Sequence, residues 1–162
     1  MSQTDEELVD EALLAFNAIT LQMGKRSFNQ QKRTCEAWLA QYVPQLEARG
    51  CTEDALLLRR VVAAWLINVA VEVRRPARAF EPLLRDIEAL GWLDLQHKEL
   101  KIGVMCGYFA DRMWKKEGFR YLLPLKREVE QEYARTGGKT WAMALDGIAG
   151  LERRLRSRKR PF

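Results

Sequence analysis

The sequence predicts an all-α protein of about seven helices, built from antiparallel helical hairpins stacked as a short solenoid-like array or a compact bundle. Three observations predict this class. Apolar residues recur at three- and four-residue spacing, and no stretch shows the strict alternation of a half-buried strand. Glycine is sparse inside the apolar runs. The breaks between runs are short, which makes successive helices antiparallel neighbours.

The first helix is expected to start at Thr4, where Thr4-Asp5-Glu6-Glu7 makes a capping box. Its apolar face is Leu8, Ala12, Ala15, Phe16 and Ile19, and Gly24 closes it. The second runs from about Ser27 to Arg49, with Pro44 predicting a kink and Gly50 an end. The third begins near Thr52, with Glu53 and Asp54 favourable in its first turn, and continues to about Val73. The fourth lies between Pro76 and Leu90, before Gly91. Asp94 caps a fifth, from about Leu95 to Trp114. The sixth runs from about Gly118 to Arg135, bent or started by Pro124 and ended by Gly137-Gly138. The seventh begins near Thr140, and its line of Trp141, Leu145, Ile148, Leu151 and Leu155 carries it to about Ser157.

A chain of 162 residues suits one domain, here residues 1–157 with a basic C-terminal tail at 158–162. Hydrophobic residues make up 48% and charged residues 30%, which excludes a disordered chain. The net charge is +5, and residues 151–162 hold six basic side chains and one acidic. The first 150 residues are therefore balanced at 21 of each sign. Cys35, Cys51 and Cys106 are odd in number and form no CxxC, and the N-terminus is acidic where a secretion signal is basic, so free thiols in a reducing cytoplasm are expected. The longest apolar run, Val61 to Val73, is broken by Asn68 and falls short of the ~20 residues that span a bilayer.

A second pattern overlies the helices. Lys25-Arg26 precedes Phe28, Arg74-Arg75 with Arg78 precedes Phe80, and Lys115-Lys116 precedes Phe119 and Arg120. Arg158-Lys159-Arg160 then precedes Phe162. The basic pairs start at 25, 74, 115 and 158, periods that suit a helix–turn–helix repeat. The positions a tetratricopeptide repeat requires are not recovered. RKRPF reads as a fourth copy with no helix after it. Stacked hairpins would bring these turns to one edge, with Arg153, Arg154 and Arg156 beside the last, and would place acidic residues such as Asp5, Glu53, Asp94 and Glu130 at the other. Compensation of helix dipoles predicts part of this pattern, and a basic edge selected for binding predicts the rest. Phe28, Phe80 and Phe119 read as staples on the preceding helix.

No catalytic constellation assembles. His97 is the only histidine and is expected exposed in a helix's first turn. No cluster has metal-ligand spacing, so neither metal nor cofactor is expected. Gly137-Gly138-Lys139-Thr140 resembles the end of a phosphate loop, but Tyr133 stands where that loop needs glycine. Glu128, Glu130 and Glu132 read as a solvated face. Trp114, beside Lys115-Lys116, is the best anchor for a base or a partner, and Phe162 is the second.

These residues point to a non-enzymatic helical subunit that binds nucleic-acid backbone. Lys25, Arg26, Arg74, Arg75, Arg78, Lys115, Lys116, Arg120, Arg153, Arg154, Arg156, Arg158, Lys159 and Arg160 would neutralise phosphates with little sequence readout. In size, helical make-up and basic edge the chain is loosely similar to the small helical subunits of CRISPR effector complexes. That likeness implies a place in a larger nucleoprotein complex, lining nucleic acid without catalysis. The alternative is a helical-repeat adaptor for protein subunits, with an acidic or helical partner. A membrane-surface role for the basic last helix is weaker, because Ala144, Gly147 and Gly150 suit helix packing better than lipid. No small-molecule substrate is evident.

Overall fold

A computed structural model describes residues 2–24 and 26–157. Among them lie seven α-helices and no strand: α1 Asp5–Met23, α2 Phe28–Ala48, α3 Thr52–Glu72, α4 Phe80–Leu90, α5 Leu95–Asp111, α6 Lys115–Thr136 and α7 Lys139–Arg156. One 3₁₀ turn, Ala77–Ala79, leads into α4. The chain divides into two compact units. The first is Met1–Arg74 with Pro82–Gly91, and the second is Arg75–Glu81 with Trp92–Phe162.

The caps follow the sequence chemistry. Thr4 Oγ1 accepts the Glu7 N–H at 3.1 Å, and Asp94 accepts the His97 N–H at 2.7 Å. Ser27 and Gln30 make a full capping box at the start of α2. That helix continues through Pro44 to Ala48.

In the first unit, α1 lies antiparallel to α2 and α2 packs on α3. Arg49 at the end of α2 reaches Asp5 at the start of α1, 3.3 Å away. Midway, the Trp38 indole N–H donates to the Ala12 carbonyl at 2.8 Å. Phe16 packs against Trp38 and Trp65, with ring centroids 4.7 and 6.2 Å apart. Leu8, Leu46, Leu58 and Ile67 complete a core closed to solvent. Most of α4 returns here through Leu83, Leu84 and Ile87, and Arg60 Nε donates to the Leu90 carbonyl at 3.0 Å. Gly91 follows at φ 92°, where a Cβ would also press on the Arg60 guanidinium at 3.1 Å.

The second unit is an up–down–up bundle in which α6 runs antiparallel to both α5 and α7. Lys98 meets Glu128 and Cys106 meets Gly118 across α5 and α6. Lys126 meets Glu152 and Gly118 meets Leu155 across α6 and α7. A Cβ on Gly118 would stand 2.4 Å from the buried Leu155 Cδ2, so only glycine admits this approach. Phe80, Phe109, Leu122, Leu125 and Val129 fill the centre.

Two boundaries depart from expectation. α5 stops at Asp111 and not at Trp114, because Met113 turns left-handed at φ 62°. The Trp114 N–H then reaches the Phe109 carbonyl at 2.9 Å, the closure a glycine normally makes. α6 starts three residues earlier than expected, at Lys115. Arg74, just past α3, is left-handed as well, at φ 57°.

Candidate nucleic-acid interface

The units differ in charge. The first contains nine basic side chains against twelve acidic, and the second eighteen against ten. The neutrality of the first 150 residues is thus a cancellation between two bodies of opposite sign.

Within the second unit the basic turns converge. The up–down–up order brings the end of α5, the start of α6 and the end of α7 together. The segment Arg75–Glu81 is fastened there. The Tyr108 hydroxyl donates to the Arg75 carbonyl at 2.7 Å, and Phe80 packs edge-on to Phe109 at 5.1 Å. Arg120 pairs with Glu81 at 3.8 Å. This end collects Arg75, Arg78, Arg112, Lys115, Lys116, Arg120, Arg153, Arg154 and Arg156, against Glu81, Asp111, Glu117 and Glu152.

Some of these bases are tied into the framework. Arg154 binds Asp111 and also donates to the Gly107 carbonyl at 3.3 Å. Glu152, 6% exposed, holds Lys126 at 2.8 Å and Arg156 at 3.2 Å. The Arg156 guanidinium also lies 5.7 Å from the Phe119 ring centre, and Arg120 lies 5.3 Å from that of Tyr121. Others make no ion pair among the described residues: Arg78, Lys115, Lys116 and Arg153. Of these, Arg78, Lys116 and Arg153 are exposed and Lys115 is half-buried.

Dipole compensation does not account for the arrangement. It needs bases in a helix's last turn, and the last turns of α1, α3 and α5 contain none. Lys115 and Lys116 instead open α6, where the helix's partial positive charge opposes them and Trp114 supplies no side-chain cap. An anion relieves that conflict, since unfilled N–H groups and two ammonium groups meet there. The compensating pattern is strongest in α7, with Arg153, Arg154 and Arg156 in its last turn, and α6 has Arg135 in its own.

Trp114 is half-buried. Its ring packs on Tyr108 and Phe109, with centroids 5.4 and 5.7 Å away, and Arg112 lies 5.3 Å from its centre. Asp111, Arg112, Met113 and Trp114 line a surface cleft of about 400 Å³. Tyr108 and Arg112 were not singled out from sequence. Tyr108 sits on the same helix as the apolar line it supports, and nothing local distinguishes it from a core ring.

The other expected positions fall into two groups. Arg26 and Arg74 belong to the first unit and are exposed. Lys25, Arg158, Lys159, Arg160 and Phe162 lie outside the described residues. Phe80 is buried as a staple should be, whereas Phe28 and Phe119 are only half-buried.

Two readings of chemistry are corrected or sharpened. His97 is half-buried against Trp92 at 6.3 Å and not exposed, and burial, with Lys101 nearby, lowers its pKa. The Glu128–Glu132 face is not simply solvated, since Glu128 takes Lys98 at 2.7 Å and Glu132 takes Arg135. Gly137 and Gly138 form the turn between α6 and α7. Burial pushes the Cys106 thiol up to about 12 and Cys35 up to about 11, so neither is a ready nucleophile. Among the described residues no group of three or more His, Cys, Asp or Glu is placed to hold a metal ion, and no helix is long and apolar enough to cross a membrane. No family model, curated protein or solved structure matches this chain.

Proposed function

We propose that this protein is a non-enzymatic subunit that grips nucleic-acid backbone through the basic end of its second unit, within a larger nucleoprotein complex. The observation that carries this reading is the placement of Lys115 and Lys116. They stand against the dipole of α6, unpaired among the described residues, at an end with nine basic and four acidic side chains. That arrangement costs stability in the free protein, and a polyanion removes the cost. Arg78 and Arg153 supply further phosphate partners. The cleft beside Trp114 offers an edge for an unstacked base, while Arg112 covers part of the ring. The sequence has no helix-turn-helix, zinc-finger or RNA-recognition signature to direct these side chains at base edges, so contact with phosphate dominates and sequence preference is slight.

Fluorescence anisotropy with generic single- and double-stranded DNA and RNA, over a salt series, tests the reading. The log–log slope is expected at roughly −0.7 to −0.9 per phosphate neutralised. Reversing both lysines, Lys115→Glu with Lys116→Glu, lowers affinity and flattens the slope by about that amount for each phosphate no longer held. Absence of binding to every probe at low salt rejects the proposal.

A further inference from the structure

Two helix faces of this chain are apolar, exposed and unpartnered among the described residues. On α1, Leu14 and Leu21 are 69% and 86% exposed, with exposed Ala18 between them. Asp10 and Glu7 extend the same stripe toward the N-terminus and are exposed too. The stripe is thus apolar at one end and acidic at the other.

The second face is the groove between α5 and α7. These helices run parallel, since Gln96 and Glu99 share a cleft of about 370 Å³ with Thr140, Trp141, Met143 and Ala144, while Gly107 meets Leu151 and Arg154 further along. Met143, in the lining, is 72% exposed, and Leu100 and Val104, four and eight residues beyond Gln96 on α5, are 57% and 50% exposed. Gly103 and Gly147 have open space where a side chain would project. The far end keeps a net positive charge: Arg154, bound to Asp111, stands over Gly107 and Arg153, with no ion pair among the described residues, over Gly150, 3.5 and 3.7 Å from where a Cβ would be. This groove is also apolar at one end and charged at the other, with the opposite sign.

We propose that two copies of this chain associate head-to-tail, with α1 of one seated antiparallel in the α5–α7 groove of the next. At 1.5 Å per residue, Leu21 to Glu7 covers about 21 Å and Met143 to Arg154 about 17 Å, so the two gradients match in length to within a turn. With Leu21 beside Met143, Leu14 falls near Gly150 and the carboxylates of Asp10 and Glu7 come level with Arg153 and with Arg154, which already holds Asp111. The open glycines let the backbones approach closely. Pairing a face with itself would leave the other face exposed and bring no acid to Arg153. The contact joins two different faces, so the remaining α1 and groove of a pair either close on each other or take further copies.

Sedimentation velocity on nuclease-treated protein, over a concentration series, tests this. The 18.8 kDa chain is expected to associate to a dimer or beyond as concentration rises, and added salt shifts that association to higher concentration. Leu21→Glu and Met143→Glu each abolish association, and both sites are exposed enough to leave the helical circular dichroism unchanged. An equimolar mixture of the two variants forms dimers and nothing larger, because one intact α1 meets one intact groove. A wild-type chain monomeric at every concentration overturns the proposal. A mixture that stays monomeric does the same. So does a result in which one variant abolishes association and the other leaves it intact, which marks a face pairing with itself.

Discussion

Both units pack aromatic rings at their centres, and they differ in what else they bury. In the first, the buried polar side chain among the described residues is Gln31, whose amide donates to the Arg26 carbonyl at 2.9 Å. In the second it is Glu152, a carboxylate between Lys126 and Arg156. The first unit keeps its charges on the outside and is net acidic. The second draws a carboxylate inward and turns four of its bases, Lys126, Arg156, Arg154 and Arg120, into fixed parts through Glu152, Asp111 and Glu81. What this teaches is that a basic end need not be a loose one. The cations with no acid partner stand on a scaffold held by those that have one.

The largest expected effects lie in the cores and bear on whether the units are energetically separate. Trp38→Ala in the first unit and Phe109→Ala in the second should each cost about 3–5 kcal/mol. Each core contains one buried thiol, Cys35 or Cys106. Labelling by a thiol reagent at graded denaturant therefore reports the opening of each unit by name. If the units are independent, Trp38→Ala accelerates modification of Cys35 and leaves Cys106 slow; equal acceleration of both shows a single cooperative body. The raised thiol pKa values add a pH term. A protein that keeps these thiols neutral loses stability as pH rises above the ordinary thiol value near 9 and through about 11 to 12.

Gly118→Ala comes next. The added methyl meets the Leu155 side chain, itself 1% exposed, and overpacking of this kind costs about 1–3 kcal/mol. The loss should appear in Cys106 protection and not in Cys35. Glu152→Gln removes the charge but keeps the shape. Lys126 and Arg156 are 37% and 68% exposed, so water screens them, and the cost is about 1–2 kcal/mol in urea unfolding. No loss would show that the inward carboxylate does not hold the basic end. The smallest change is a gain: Met113→Gly relieves a left-handed backbone and should raise stability by about 0.5–1 kcal/mol in thermal unfolding.

Much of the helical framework was legible because it rests on local chemistry. Thr4, Asp94 and Gly137 announce their helix ends by side chain or by freedom at positive φ. The end of α5 did not, because Met113 takes the left-handed turn that glycine usually marks, closed by the Trp114 N–H on the Phe109 carbonyl. The run of basic pairs was visible, yet its division between two units was not, since that depends on which helices close on each other. Reading Lys115-Lys116 as the tail of α5 followed from the missed boundary and let dipole compensation explain part of the pattern. Glu152 was hidden for a related reason. It sits between Ile148 and Leu155 on the buried side of α7, and its charge disguised a core position whose partners are far away in sequence.

The chain passes between the units at three places, after Arg74, after Glu81 and after Gly91. No single cut therefore yields both units whole. During synthesis, a ribosome that has completed α3 has not completed the first unit, whose Arg60 still waits for the carbonyl of Leu90. Between those two events it must make Phe80, a piece of the second unit's centre that stays unmatched until Phe109 emerges. The order of translation thus interleaves the two units, and a nascent chain holds each of them unfinished at once.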